Sequence, residues 1–388
     1  MKILQIHNFY LANGGEDAVF LAEGKLLESY GNEVVQYTVN NSEISGVVGK
    51  LITGINLVYS RLSKESVEEF ITLKKPDIVH IHNFFPLLTP SIYDACIAVG
   101  VPVVQTLHNY RTICPGAFLM RNGRICEDCI GGSAYQSILH GCYRGSYIGT
   151  LAVARMVEGH RKRQTWNNKV ARFIALTEFA KQKFIQAGLP EGKIAVKANF
   201  IGSDVSKRKS PKSNKPYALF VGRLSKEKGI ETLLMAWERI SLHLLLAGDG
   251  PLLNAVKSVE QQNVHSLGHM LSDELQETMA QASFLVMPSE WYEGFPMVLV
   301  EAFENGIPVI ASRLGGMAEI IEDGVTGLHF EAGNSVDLAE KVTWMHNNPE
   351  KCKEMGENAR KVYQEKYTPE INYKILMQIY QEAIDEYQ

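Results

Sequence analysis

Short apolar runs rich in β-branched residues alternate with stretches of helical periodicity from the first residues of the chain. Residues 2–7, 33–39, 77–82, 101–107, 170–176 and 194–196 read as strands, and 16–30, 66–73, 90–99 and 179–187 as helices between them. Strands spaced by helices in this way build a parallel sheet, so residues 1–202 are expected to form one Rossmann-like domain. Segment 109–149 breaks the rhythm. It is rich in Gly, Cys and aromatic residues and too long for an ordinary connection, which marks it as a functional insertion. Residues 203–216 are polar and basic with two prolines and read as a linker. Strands then resume at 217–221, 242–247, 264–267, 284–287 and 308–311, predicting a second doubly wound sheet over residues 203–368. A final helical pattern at 371–387, within the terminal segment 369–388, is expected to cross back to the first domain. No repeat of 20–50 residues is visible.

Composition adds little to that picture except by exclusion. With 388 residues, 45% hydrophobic and 21% charged, the chain can bury two ordinary cores and is neither disordered nor a small stapled scaffold. Its net charge of −4 is unevenly spread. Residues 1–200 hold 21 Lys and Arg against 16 Asp and Glu, and residues 201–388 hold 18 against 27, giving +5 and −9. A surplus of five suggests that the first domain faces something anionic but is too small to argue for nucleic acid. No apolar run reaches bilayer length and the start of the chain turns polar too soon for a signal peptide, so the cytoplasm is the expected location. Arg155, Arg161, Lys162, Arg163, Lys169 and Arg172, opposed only by Glu158, make residues 155–172 either a solvated helix face or a peripheral contact with the anionic inner face of the membrane.

Ligands of doubly wound sheets sit at the carboxyl ends of strands. After the first strand stands Asn13-Gly14-Gly15-Glu16, either a tight turn or a place where backbone N–H groups meet an anion; it is not the Gly-x-Gly-x-x-Gly of dinucleotide folds. The second domain's first strand leads into Gly222-Arg223-Leu224-Ser225-Lys226-Glu227-Lys228-Gly229. Arg223 and Lys228 flank a turn that opens a helix, an arrangement suited to a diphosphate, the competing reading being a solvated charged turn. Further on, Glu293-Gly294-Phe295-Pro296-Met297-Val298 ends a loop and starts a helix in which Glu301 lies about a turn and a half along. Free N–H groups near Met297 and Val298 would point at a ligand, Glu301 would accept from ribose hydroxyls, and Glu293 from sugar hydroxyls. Taken singly, the two glutamates read equally as helix-dipole and solvated residues.

The order of these elements carries more than any one of them. Together with Gly315-Gly316-Met317-Ala318-Glu319-Ile320 and Asp323-Gly324-Val325-Thr326-Gly327-Leu328, the run from Glu293 resembles the C-terminal signature of family four of the retaining glycosyltransferases, group 1, whose GT-B fold is α/β, with two Rossmann-like doubly wound domains facing a central cleft. The resemblance places the phosphate motif at Gly222 to Gly229, the nucleobase loop at Leu267-Gly268-His269-Met270 and the paired glutamates at Glu293 and Glu301. In the first domain, Asp77 to His82 and Thr106-Leu107-His108-Asn109 resemble the strand ends of the acceptor side, with Asn109 where relatives often carry Asp.

The resemblance implies transfer of a sugar from a UDP- or GDP-sugar to a hydroxyl of a saccharide or lipid-linked acceptor, with retention at the anomeric carbon. A role in cell-surface polysaccharide or glycolipid synthesis would follow. Gly15, Arg223, Lys228, Met270, Glu293, Gly294, Phe295, Pro296, Met297, Val298 and Glu301 would hold the donor, and Glu293, His108, Arg223 and Lys228 would serve catalysis. No Asp-x-Asp occurs, so no cofactor is implied for the reaction. A nucleotide-sugar epimerase and an inactive nucleotide-sugar-binding regulator are the competing readings; the long insertion favours an acceptor site, and the intact Arg223, Lys228, Glu293 and Glu301 favour chemistry. His80 and His82 share a strand face but show no third metal ligand in the sequence. Cys114, Cys126, Cys129 and Cys142, spaced by eleven, two and twelve residues, are expected to bind a structural zinc, with a redox pair, an iron–sulfur cluster or plain buried thiols as alternatives.

Overall fold

In the computed structural model, residues 1–11, 14–202, 216–258 and 263–387 are described. Asn13 of the glycine turn and all of the predicted linker except Pro216 lie outside them. Two compact units emerge. The first comprises Met1–Arg121, Cys126–Asn199 and Asn372–Gln388, and the second Asn122–Ile125 and Phe200–Ile371.

The first unit is built on a parallel sheet of β1 (Lys2–Phe9), β2 (Glu33–Asn40), β3 (Ile78–Asn83), β4 (Val103–Leu107), β5 (Arg172–Ala175) and β6 (Ile194–Val196), in the order β2-β1-β3-β4-β5-β6. Central strands are sealed on both faces: Ile3, Leu4, Ile6, Ile78, Val79 and Ile81 are fully buried. β2 lies at one edge, and none of its residues is buried. The helix Gly15–Ser29 starts where the Gly14 N–H donates to Asp17 Oδ2 (2.9 Å), and lays Val19, Phe20, Leu26 and Leu27 on the sheet. From Asn372 onward the helix Pro369–Asp385 belongs to this unit, packing Leu376, Ile379, Tyr380 and Ala383 on Ile3, Leu27, Ile78, Val104 and Ile174.

Under that helix lies a polar layer. Glu23 and Lys197 meet at 3.0 Å with side chains about 1% exposed. Lys197 also donates to Asn372 Oδ1 (3.2 Å), while Asn372 Nδ2 donates to the Ala198 carbonyl (2.7 Å). His80 joins the layer through the Tyr380 hydroxyl (2.7 Å), Thr106 Oγ1 (2.7 Å) and Glu23 Oε1 (3.0 Å). Burial alone would raise the Glu23 carboxyl, but Lys197 and then His80 hold it well below the ordinary carboxylate range.

The second unit's sheet contains β7 (Tyr217–Val221), β8 (His243–Ala247), β9 (Val264–Gly268), β10 (Phe284–Met287), β11 (Val309–Ser312) and β12 (Gly327–Phe330), ordered β9-β8-β7-β10-β11-β12 and parallel throughout. Phe220, Leu244, Leu246, Val286 and Ile310 meet Leu233, Trp237, Leu338, Val342 and Met355 from the helices in one core. β12 escapes the sequence pattern because it is four residues long and begins at a glycine. A Cβ on Gly327 would stand 2.0 Å from the Val309 carbonyl oxygen, so this glycine is a strand residue against which the neighbouring backbone closes.

The helices Gly46–Asn56 and Tyr147–Lys162 are likewise absent from the periodicity reading. The first contains three glycines and buries no residue, so it shows no apolar stripe facing a core. No helix among the described residues is long and apolar enough to cross a membrane.

Removing one partner of a buried ion pair strands the other charge. Lys197→Met is therefore expected to cost ~3–5 kcal/mol, and adding Glu23→Gln should recover part of that loss. Chemical denaturation of the two variants checks this, and a stable Lys197→Met protein would contradict it.

Candidate active site

In a doubly wound sheet the ligand crevice lies where strand order reverses. For the second unit this is between β7 and β10, and the loops that follow these two strands are locked together. The Glu290 N–H donates to the Glu227 carbonyl (2.9 Å), and a Cβ on Gly229 (φ 69°) would stand 1.9 Å from the Pro288 carbonyl oxygen. That close approach places Lys228 over the loop after β10. Its ammonium donates to Glu293 Oε1 at 2.6 Å and lies 5.6 Å from the centre of the Trp291 ring. Ser289 Oγ (2.6 Å) and Trp291 Nε1 (3.1 Å) donate to the same oxygen, so a buried carboxylate is fixed by three donors.

The helix Met297–Glu304 begins four residues later. Its N-cap is Pro296, which provides no side-chain cap for the first N–H groups. Gly294, Phe295, Met297 and Val298 occupy this entry, and Glu301 is half-buried one turn in. Arg223 stands exposed at the end of β7, and Met270 is half-buried beyond β9. Lys228 and Glu293 are thus in direct contact, and Gly229 is the residue that lets their loops meet.

The first unit's strand order reverses between β1 and β3, beside Gly14, Gly15 and Glu16. Glu16 accepts from Asn109 Nδ2 (3.1 Å) and Asn83 Nδ2 (3.3 Å). Burial, and then the Asp17 charge, push its carboxyl up to about 7, against the opposing effects of Asn109, Arg111 and Tyr10. Asn109 removes a carboxylate from the end of β4, and Glu16 supplies one beside it. Sequence reading missed this because the two residues are 93 positions apart. Arg111 lies over the Phe85 ring (4.4 Å to the centroid) and the Tyr143 ring (5.2 Å), tying the insertion to the same strand ends.

His108 stacks on His82, and their Nε2 and Nδ1 atoms are 3.1 Å apart. Burial first and neighbouring imidazoles second keep both rings neutral: His82 falls to about 3, and His108 is held well below its ordinary value. His82 Nε2 lies 3.2 Å from Glu23 Oε1. The expectation that His80 and His82 lack a third ligand is therefore corrected, since Glu23, His80 and His82 bring ligand atoms within 4.8 Å of one another. Lys197 already neutralises Glu23, and a divalent ion there would sit against that ammonium in a dry interior. The donor set fits a structural polar layer better than a metal.

The basic run at 155–172 is partly engaged within the fold. Arg161 donates to the Gly132 and Cys129 carbonyls, Lys169 pairs with Asp94, and Arg172 pairs with Glu386 and Glu382. Half of the six cations hold the fold together. Arg155, Lys162 and Arg163 remain exposed.

Two family models cover the chain in succession, Glycosyltransferase Family 4 over residues 32–204 and Glycosyl transferases group 1 over residues 203–362. The chain belongs to the group 1 glycosyltransferases of family 4, and its two parallel-sheet domains are those of the GT-B fold. An uncharacterized glycosyltransferase of Methanocaldococcus jannaschii is 37% identical over 173 residues, 44% of this chain and 49% of that protein. The N-acetyl-alpha-D-glucosaminyl L-malate synthase of Bacillus anthracis is 31% identical over 161 residues, 39% of this chain and 42% of that enzyme. The chain thus spans about half the length of the curated relatives it matches.

Among solved structures, Anabaena HepE in complex with UDP-glucose superposes with a TM-score of 0.65 at 21% identity, covering 97% of this chain and 99% of that one. The sucrose-phosphate synthase of Thermosynechococcus elongatus gives 0.72 at 18% identity and covers 99% of both chains. These likenesses establish the fold.

Glu16 also makes stability depend on pH. Its folded pKa of about 7 exceeds the ordinary 4.5, so ionising it costs folding energy that grows as pH rises from ~4.5 to ~7. Glu16→Gln removes that cost. The variant should gain about 2 kcal/mol over wild type at pH 8, a figure discounted for partial exposure, and nothing at pH 4. Denaturation curves at the two pH values check the sign.

Proposed function

We propose that this glycosyltransferase moves a sugar from a nucleotide-diphospho-sugar to a hydroxyl of a saccharide or lipid-linked acceptor, with retention of configuration, in the making of cell-surface polysaccharide or glycolipid. The observation that carries this reading is the Lys228–Glu293 contact at the strand-order reversal of the second unit. An ammonium for the diphosphate and a carboxylate for the sugar hydroxyls stand side by side there. The HepE structures with UDP and UDP-glucose support a nucleotide-sugar donor, UDP first among the bases.

Departure of the diphosphate is the difficult event. Lys228, Arg223 and the uncapped N–H groups of Met297 and Val298 would meet the charge that develops, an effect commonly worth several kcal/mol. With Glu293 Oε1 held by three donors, its other oxygen would accept from the sugar. Glu301 would take the ribose diol, and Met270 would lie against the base. In this reading the acceptor hydroxyl attacks on the face the leaving group vacates, and the departing phosphate takes its proton. His108, neutral and backed by His82, would align a hydroxyl through the nitrogen not turned toward His82.

Lys228→Ala and Glu301→Gln should each weaken binding of the nucleoside diphosphate at least tenfold, whereas Glu293→Gln should lower turnover more than nucleotide affinity. Calorimetry with UDP and GDP, together with nucleotide release measured with and without candidate acceptors, tests the assignment. Acceptor-dependent release separates transfer from epimerisation and from mere binding, and unchanged affinity in both donor-site variants would refute the site.

We further propose contact with an anionic bilayer, now through the helix Gly46–Asn56. Val47 is 83% exposed, Ile55 is 71% exposed, and Val48, Leu51 and Ile52 are exposed on the same helix. Tyr147 and Ile148, at the start of the adjoining helix Tyr147–Lys162, extend the apolar surface. Apolar side chains flanked by Lys50 and Arg155 suit the headgroup boundary, where each exposed cation adds ~1 kcal/mol. Vesicles rich in phosphatidylserine should carry the protein upward in flotation at low salt, and Val48→Asp with Ile52→Asp should abolish this. Wild-type protein that stays at the bottom of the gradient would remove the proposal.

A further inference from the structure

We propose that Cys114, Cys126, Cys129 and Cys142 form a structural tetrathiolate site for one zinc ion, which holds the insertion 109–149 in its folded form. All six cysteines of the chain are free thiols. Cys96 and Cys352 are buried in helices elsewhere, whereas these four line a single small cavity together with Met120, Arg121 and Asp128. A Cβ on Gly116 would lie 3.8 Å from both Cys114 Sγ and Cys142 Cβ, so the first and last of the four approach one another across that glycine. Four soft donors converging in one place are the ligand set of a closed zinc site, and they leave no position open for substrate.

The backbone gives a second, independent reason. Ala117, Leu119, Asn122 and Arg144 all have φ between 47° and 67°, so of the seven non-glycine residues with positive φ among the described residues, four fall inside this one segment. Such conformations persist only where the surroundings over-determine them. The apolar side chains the insertion buries, chiefly Ile113, Ala117, Leu119, Ile130 and Ala134, make a thin core for its length. A tie among four points spread from 114 to 142 supplies the missing constraint, because metal binding to such a segment is folding free energy.

The four sulfurs stand wider apart than a bound ion would hold them: among the described residues, the His, Cys, Asp and Glu ligand atoms gathered within 4.8 Å are those of Glu23, His80 and His82. Closing the ring of thiols on zinc at about 2.3 Å per sulfur requires the cysteine side chains to turn toward one another. Cys114 lies five residues beyond Asn109, and the turn between them is closed by the Cys114 N–H to the Tyr110 carbonyl (2.8 Å). The metal would thus fix the stretch that carries Asn109 and Arg111 to the strand ends.

The test uses the full chain purified without added metal. Elemental analysis should find about one zinc per chain in wild type and in Cys352→Ala, and less than about a fifth of that in Cys126→Ser and Cys129→Ser. Should those variants fail to fold, the wild type decides. A chelator with a zinc indicator should release the metal and expose four further titratable thiols. Hydrogen exchange should then quicken across 109–149 while the second unit keeps its protection. A metal-free wild type with a protected insertion, a Cys126–Cys129 disulfide found by mass spectrometry, or equal trace metal in wild type and Cys126→Ser would each overturn the site.

Discussion

A carboxylate with about 1% of its side chain exposed cannot stay charged without a partner, and Glu23 constrains the first unit for that reason. Its partners come from three parts of the chain: Lys197 just after β6, His80 and His82 on β3, and, through Lys197 and His80, Asn372 and Tyr380 on the last helix. Satisfying one charge fixes the first helix, the far edge of the sheet and the C-terminal helix together. The same layer keeps His82 neutral and backs His108, whose ring is oriented from within the unit.

The second unit solves a different problem. Here a cation and a carboxylate meet as an ion pair, Lys228 and Glu293 at 2.6 Å. Gly229 lets the two loops meet, and Ser289 and Trp291 share Glu293 with Lys228. A carboxylate with three donors yields one of them to a phosphate at less cost than a carboxylate with a single partner. In the proposed reaction these charges would be placed before the substrate arrives, which is the preorganisation that electrostatic catalysis requires.

How much of this was visible in the sequence depends on how local the cause is. Strands such as Tyr217–Val221 and Phe284–Met287 announce themselves because parallel-sheet burial demands unbroken apolar runs. The order of Arg223, Lys228, Glu293 and Glu301 was equally plain, because each follows a strand end at a fixed offset. What failed was whatever depended on distant neighbours. The strand that begins at Gly327 goes unread because the Val309 carbonyl that requires a glycine there is invisible along the chain. Glu16 and Asn109, Glu23 and His82, and Arg172 and Glu386 are meetings across the fold, and a basic run that looked like a surface proved half consumed by them.

The last helix carries a consequence for how the protein is made. A ribosome delivers the chain from its amino end, so β1 to β6 emerge early and would be expected to fold first. Yet the residues that cover Ile3, Ile78 and Val104, and that complete the partners of Lys197 and His80, are numbered 372 to 383. Until they leave the exit tunnel, the early sheet has an open apolar face with a charged layer beneath it, while the whole of the later sheet has already been synthesised. The unit born first is therefore finished last, its sheet covered only by residues that follow the whole of the second.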